Sequence, residues 1–276
     1  MKFIDYHIHP NYSIDAQPYS IDEYCKRAVE LKMDEICFTT HIELDPKSIN
    51  IEGFSIIENK KIPVLDDYWF NCYMDEISIA QGKYKNKLKI YSGFEINYDK
   101  NYEKNIKDYL EKHNVDYYLL GIHSIDNIFF EIDEYAKYIF EKYDFNEFFK
   151  KYFVSLENAV NSKIFNTVGH LDLYKKIGVK FYDKEVFNIN KDIVEKFFKN
   201  LIKNDMLLEI NTASFRKNFD EPYPSFKFLE IAKDTGLKYI ITGSDAHKID
   251  DLGFKIIETS KKLIKKFGFE IIGLSG

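Results

Sequence analysis

Arginine is nearly missing from this 276-residue chain: of 39 basic residues only Arg27 and Arg216 are arginine, the rest lysine. Cysteine is as scarce. Cys25, Cys37 and Cys72 are odd in number and form no Cys-x-x-Cys pair, which excludes a disulfide framework and a thiolate zinc site. Each reads as a small buried hydrophobe. No apolar run approaches the ~20 residues of a membrane span. The amino terminus runs straight into a strand-like segment, without the basic stretch, apolar core and cleavage site of a leader. These absences predict a cytoplasmic protein with no membrane partner. A basic excess is lacking too: the formal net charge is −6, which argues against nucleic acid as the partner. The 12 glycines and 6 prolines are dispersed. No linker, low-complexity tract or repeat divides the chain, so it reads as a single domain over residues 1–276.

What the chain has is core-forming mass, 45% hydrophobic and 17% aromatic, in a regular alternation of patterns. Strand-like runs cover residues 2–9, 35–40, 88–96, 117–123, 167–170, 206–211 and 239–242. Helical periodicity covers 21–32, 65–81, 102–112, 134–142, 146–161, 193–204, 226–235 and 254–266, and 46–63 reads as an irregular loop. About seven strands alternating with helices imply parallel pairing with right-handed crossovers.

Six of the seven histidines stand in short islands with other metal-binding residues, mostly where strand-like runs end. The islands are Asp5-Tyr6-His7-Ile8-His9, Thr40-His41-Ile42-Glu43, Gly93-Phe94-Glu95, Gly121-Ile122-His123, Gly169-His170-Leu171-Asp172 and Gly243-Ser244-Asp245-Ala246-His247. Imidazole and carboxylate are ligands of divalent transition metals, and a barrel-like parallel fold gathers its strand ends at one place. His7 and His9, two apart on a strand, share a face, and alternation puts Asp5 there as well, able to orient an imidazole. A carboxylate at Glu95 can bridge two ions. Asp15, on the loop after the first strand, also reads as a turn or cap residue. His113, at a helix end, reads as a surface cap and is set aside. Glu43 and Asp172 read either as ligands or as groups supporting them. Arg216 follows a strand end in Glu209-Ile210-Asn211-Thr212-Ala213-Ser214-Phe215-Arg216-Lys217, and its planar fork matches phosphate oxygens as lysine cannot.

The ordered set of His-x-His, a central Glu, two single histidines and Ser-Asp-Ala-His resembles the polymerase and histidinol phosphatase (PHP) family. The stretch from Asn211 to Lys217 is similar to the Asn-Thr-x-x-x-Arg-Lys of its histidinol-phosphatase branch. The resemblance implies an α/β fold, a distorted TIM-like (β/α)7 barrel with the metal site at the C-terminal ends of the strands. It implies two to three divalent ions, zinc, manganese or iron. His7, His9, Glu95 and Asp245 would hold the first, Glu95, His123 and His170 the second, and Asp15, His41 and His247 the third. It implies a small phosphorylated substrate held by Arg216 and Asn211. No side chain is named as general acid; a metal-bound water would serve, with Asp15 or His247 near it. The implied activity is histidinol-phosphate phosphatase in histidine synthesis. The alternatives are a phosphoesterase acting on nucleotides, nucleic-acid ends or phosphotyrosine, and a non-catalytic metal-binding module. One departure stands out: Thr40 precedes His41, where the family usually has an acidic residue.

Overall fold

In a computed structural model, which describes residues 2–274, the strand-like runs form one curled parallel sheet. Among the described residues it has eight strands: β1 (Ile4–Ile8), β2 (Glu35–Ile42), β3 (Lys89–Asn97), β4 (Tyr117–Gly121), β5 (Thr167–Val168), β6 (Leu207–Asn211), β7 (Tyr239–Gly243) and β8 (Glu270–Ile271). They lie in that order. At the C-terminal end the sheet returns on itself. Ala246, just past β7, bridges Ile8 of β1, with the Ala246 N–H donating to the His7 carbonyl and the His9 N–H to the Ala246 carbonyl. The two-residue β8 pairs only with the start of β7, so the ring closes through β7 and β1 at the end that carries the histidines. This is the distorted, TIM-like barrel that the resemblance implies.

Helices cover the outer face because each offers an apolar stripe to it. The helix Ile21–Glu30 buries Ile21, Tyr24, Cys25 and Ala28, at helical spacing, and starts on a capping box between Ser20 and Glu23. The helix Phe145–Ser162 likewise starts on a box between Asp144 and Glu147. Inside the barrel the floor is apolar: Ile4, Tyr6, Cys37, Tyr117, Leu119 and Ile241 pack together, with Tyr91 and Leu207 against them. The functional groups stand on that floor.

Three departures from the sequence reading concern the segments over the strand ends. The expected loop at 46–63 holds a short helix, Ile49–Glu52, and an antiparallel hairpin, Phe54–Ile57 with Lys60–Pro63. Its turn puts Glu58 and Asn59 both at positive φ, the conformation of a tight two-residue hairpin. A second hairpin, Ser124–Ile125 with Ile128–Phe129, turns on Asp126 and Asn127 in the same way. A helix, Lys175–Tyr182, follows β5, where none is expected, and puts Lys176 over the strand ends.

Candidate metal centre

A β-bulge aims the first two histidines. Along β1 the pairing slips from Asp5↔Ile36 to Ile8↔Phe38, so three steps along β1 match two along β2. The extra residue reverses the alternation. Ile4 and Tyr6 face the barrel interior below it, and His7 and His9 face the interior above it, both fully buried. Asp5 falls on the other face, which corrects the expectation that it orients an imidazole. Its carboxylate accepts the Ser244 N–H and hydroxyl and the Gly253 N–H, tying β1 to the segment that carries Asp245. Burial lifts the Asp5 carboxyl to about 6 against the pull of those bonds.

The group behind His7 is Glu209, on β6. Its Oε1 lies 2.7 Å from His7 Nδ1, while Oε2 accepts the His170 N–H at 2.8 Å and the Asn211 amide at 3.1 Å. Sequence reading misses Glu209, although its place two residues before Asn211 on a strand, on one face, is a signal that points to it. Asn211 is wholly buried. Its amide donates to Glu209 and its oxygen accepts the Ala213 N–H, so it steadies the carboxylate behind His7 and does not face the cavity. The substrate contact implied for Asn211 is corrected accordingly.

Glu95, near the end of β3, is the hub. Its Oε2 lies 3.1 Å from His7 Nε2, 3.4 Å from His9 Nε2 and 3.1 Å from His41 Nδ1. Its Oε1 lies 3.1 Å from His123 Nε2 and 2.7 Å from His170 Nε2. Asp245 Oδ1 stands 3.5 Å from His7 Nε2, 3.4 Å from His9 Nε2 and 3.3 Å from His247 Nδ1. Asp15 Oδ2 stands 2.9 Å from His247 Nε2 and 3.6 Å from His41 Nε2. All nine residues proposed as ligands therefore meet over the barrel floor. Interior glycines make the room. A Cβ on Gly121 would sit 2.5 Å from His123 Nε2 and 2.7 Å from Glu95 Oε1.

The charges show what this set wants. Burial opposes ionisation of Glu95 and Asp245, yet the facing imidazoles hold both carboxyls well below the usual range, His7, His41 and His123 for Glu95, His7 and His9 for Asp245. Burial likewise opposes protonation of His123 and His247, but Glu131 and Glu95 lift the first, and Asp15 the second, to about 9. His9 goes the other way, down to about 4, through burial and the charges of His247 and His41. Its Nε2 is buried and has no hydrogen-bond partner among the described residues. Carboxylates that draw protons onto facing imidazoles attract divalent cations by the same force, and an unpaired buried imidazole nitrogen is a ligand atom in waiting. Close nitrogen and oxygen sets occur in four overlapping groups: His7, His9 and Glu95; His7, His170 and Asp245; His41, Glu95 and His123; His9, His41 and His247. Such donors suit zinc, manganese or iron, so the residues fit the implied ions. Elemental analysis of protein purified without chelator is expected to give two to three ions per chain. A value of one, with no gain on reloading, defeats the multinuclear reading.

A cavity of about 210 Å3 opens on these groups and is bordered on one side by Arg216, Lys217 and Tyr223. Arg216 Nη2 donates to the Ser244 and Asp245 carbonyls, both at 2.8 Å, and its Nε lies 3.4 Å from Asp251. Most of the fork is thus spent on holding the Asp245 segment, and Nη1 remains without a partner among the described residues. A second lobe of about 200 Å3 shares Asp15, His41, His123, Glu131 and Lys176 with the first and adds Glu43, Glu52, Phe129 and Ile132. Glu131, which sequence reading also misses, stands 3.4 Å from His123 Nδ1 and 3.7 Å from Lys176 Nζ. Glu43 is a supporting group: it accepts the Asn97 amide at 2.7 Å, and burial pushes its carboxyl up to about 7. Asp172 pairs with Lys175 and takes the Ser225 N–H at 3.0 Å, away from the ligand atoms. Thr40 lies across β2 from His41 by alternation, buried toward Tyr73, so the residue type there does not touch the ligand set. His113 stays out of the site but is not a surface cap. It is 3% exposed, stacks on Tyr109 and bonds the Tyr109 carbonyl and Asp67.

Comparison with known proteins places this geometry. The PHP domain model matches residues 5–213. A histidinol-phosphatase from Lactococcus lactis is 28% identical over 279 residues, spanning 100% of this chain and 96% of its own. Among solved structures, a putative histidinol phosphatase from Listeria monocytogenes superposes with a TM-score of 0.78 at 21% identity, over 92% of this chain and 99% of its own. The Lactococcus lactis histidinol phosphate phosphatase, solved with zinc, L-histidinol and phosphate, superposes at 0.70 with 24% identity, over 98% and 95%. These likenesses establish the barrel. No helix of the described residues is long and apolar enough to cross a membrane. A matched span that starts at Asp5 on β1 and runs past the β6 strand behind His7 takes in most of the ligand set, and by that match the chain belongs to the PHP domain family.

Proposed function

We propose that the protein is a metal-dependent phosphomonoesterase that converts L-histidinol phosphate and water to L-histidinol and phosphate, in histidine synthesis. The observation that carries this reading is the cavity's polarity. Its one free guanidinium nitrogen, on Arg216, and Lys217 border the first lobe alone, Glu43 and Glu52 border the second alone, and the Glu131–Lys176 pair lines both. A substrate with a phosphate at one end and a cationic amino alcohol at the other matches both walls. The relatives named histidinol-phosphatase support the same substrate class.

In this reading His7, His9, Glu95 and Asp245 hold one ion, Glu95, His123 and His170 a second, and Asp15, His41 and His247 a third. Bound ions of this kind supply Lewis acidity and lower the pKa of water from ~15.7 toward ~7. The chain's own groups do the rest. Glu209, which as a carboxylate can only accept, keeps a hydrogen on His7 Nδ1 and turns Nε2 toward the ligand cluster. Arg216 Nη1 is placed to hold a phosphoryl oxygen as charge develops on it. Asp15 and His247, 2.9 Å apart at the cavity edge, would be spent on the third ion, so no side chain of the chain is assigned as the general acid.

A nucleoside monophosphate lacks the cationic end that the acidic lobe fits, and phosphotyrosine carries a carboxylate beside its ammonium group. Metal-loaded protein is therefore expected to release phosphate from histidinol phosphate with a kcat/KM at least about tenfold above either, the effect of one good charge-assisted contact. Equal or higher efficiency on the nucleotide or on phosphotyrosine would replace this reading with a general phosphoesterase. No turnover of any of the three, with full metal loading, would favour a non-catalytic module.

A further inference from the structure

Besides His170 Nδ1, on a residue of the ligand set, two buried hydrogen-bond donors border the cavity with no acceptor among the described residues: Arg216 Nη1 and the Tyr223 hydroxyl. Tyr223 is 2% exposed, so its hydroxyl does not have bulk water as a partner. Native structures leave few buried polar atoms unpaired, because each keeps its full desolvation penalty. Two such donors in one cavity, in the field of Asp245, point to an acceptor that binds there. Burial, and then the charges of Asp172 and Asp245, push the Tyr223 hydroxyl well above its ordinary range, so it stays a proton donor.

The chain holds Tyr223 there by backbone, not by chance contact. After β6 the segment 212–225 runs out with Arg216 and Lys217 and comes back to pair Tyr223 with Asn211 in an antiparallel bridge. The Asn211 N–H donates to the Tyr223 carbonyl at 2.7 Å, and the Tyr223 N–H to the Asn211 carbonyl at 2.9 Å. Two residues on, the Ser225 N–H is fixed by Asp172 at 3.0 Å, and Lys175 donates to the Ser225 hydroxyl at 2.7 Å. Arg216 is held as firmly, through the Ser244 and Asp245 carbonyls. Donors fixed before substrate arrives need no reorganisation as charge builds up, which is the condition for an effective oxyanion site.

We propose that the Tyr223 hydroxyl is a phosphoryl-oxygen donor, working beside Arg216 Nη1 as the second prong of an oxyanion clamp. The proposal rests on the phosphomonoesterase reading, but its test uses inorganic phosphate and does not depend on the organic substrate. Tyr223→Phe removes one oxygen and keeps the ring, which packs tilted against Phe219 with centroids 6.0 Å apart. In metal-loaded protein, calorimetric titration is expected to show phosphate binding weakened about tenfold to a hundredfold by Tyr223→Phe, the range for a hydrogen bond to a charged group. Metal content should match wild type, and kcat/KM on histidinol phosphate should fall by a similar factor. Unchanged phosphate affinity in Tyr223→Phe overturns the clamp. So does a weakening that appears only together with lost metal, which would mean that the hydroxyl serves the fold through Asp172. Failure of wild type to hydrolyse histidinol phosphate, with phosphate binding still sensitive to Tyr223→Phe, would remove the substrate reading and leave the clamp in place.

Discussion

Glu95→Gln is expected to abolish most activity and to lower metal content while the barrel stays folded. One carboxylate oxygen of Glu95 faces His7, His9 and His41 and the other faces His123 and His170, at 2.7–3.4 Å, so both oxygens are committed to ligand nitrogens. Glutamine keeps the shape but offers one neutral oxygen and an NH2 donor, which cannot share two cations. Groups that merely support metal ligands are typically worth ~10–100-fold. A residue placed to touch two ions would exceed that, so the expected loss in kcat/KM is more than about a hundredfold. Ions that bind only the native state stabilise it by mass action, so the rise in Tm on metal loading should also shrink in the variant. Near-normal turnover at full metal content would contradict the bridging role.

The second large effect is expected at Gly243, at the end of β7. A Cβ there would lie 2.0 Å from Glu209 Oε1 and 2.6 Å from His7 Cβ. The His7 Cβ is fixed to β1, which is itself held by Ala246, so the Glu209 carboxylate must move and the His7 Nδ1 bond is lost. Overpacking of this kind costs ~1–3 kcal/mol, and each kcal/mol lowers Tm by roughly 2–4 °C in a chain of this size. Gly243→Ala is therefore expected to melt several degrees lower and to bind metal about ten- to a hundredfold more weakly, the usual effect of losing the partner behind a ligating histidine. Gly82 is the control. It lies inside the helix Asp67–Tyr84, and a Cβ there meets nothing within 4 Å. Gly82→Ala should be neutral or stabilising by up to ~1 kcal/mol. Wild-type metal affinity in Gly243→Ala would show that the contact between Glu209 and His7 does not govern the site.

The amino-acid sequence by itself pointed to the nine residues that meet over the barrel floor, most of them at strand ends, but not to Glu209 or Glu131 beside them. Strand alternation, glycine placement and ligand chemistry are local properties, and the islands at His7, Glu95, His123, His170 and Asp245 carry them within a few residues each. They were enough for the barrel and the family. The short hairpins and the helix after β5 were less legible, because a turn on Glu58 and Asn59 holds no glycine or proline, and the eight residues from Lys175 are a short run interrupted by Gly178. Tertiary structure alone decided how the groups face one another. The bulge that turns His7 and His9 inward, and sends Asp5 to the other face, is a slip of β1 against β2, invisible in β1 by itself. Glu209 reaches His7 across 202 residues, and Arg216 spends its fork on the Asp245 segment from 29 residues away. Partners this distant are selected by strand order and closure of the sheet, and those arise from burial of the whole chain and not from any segment of it.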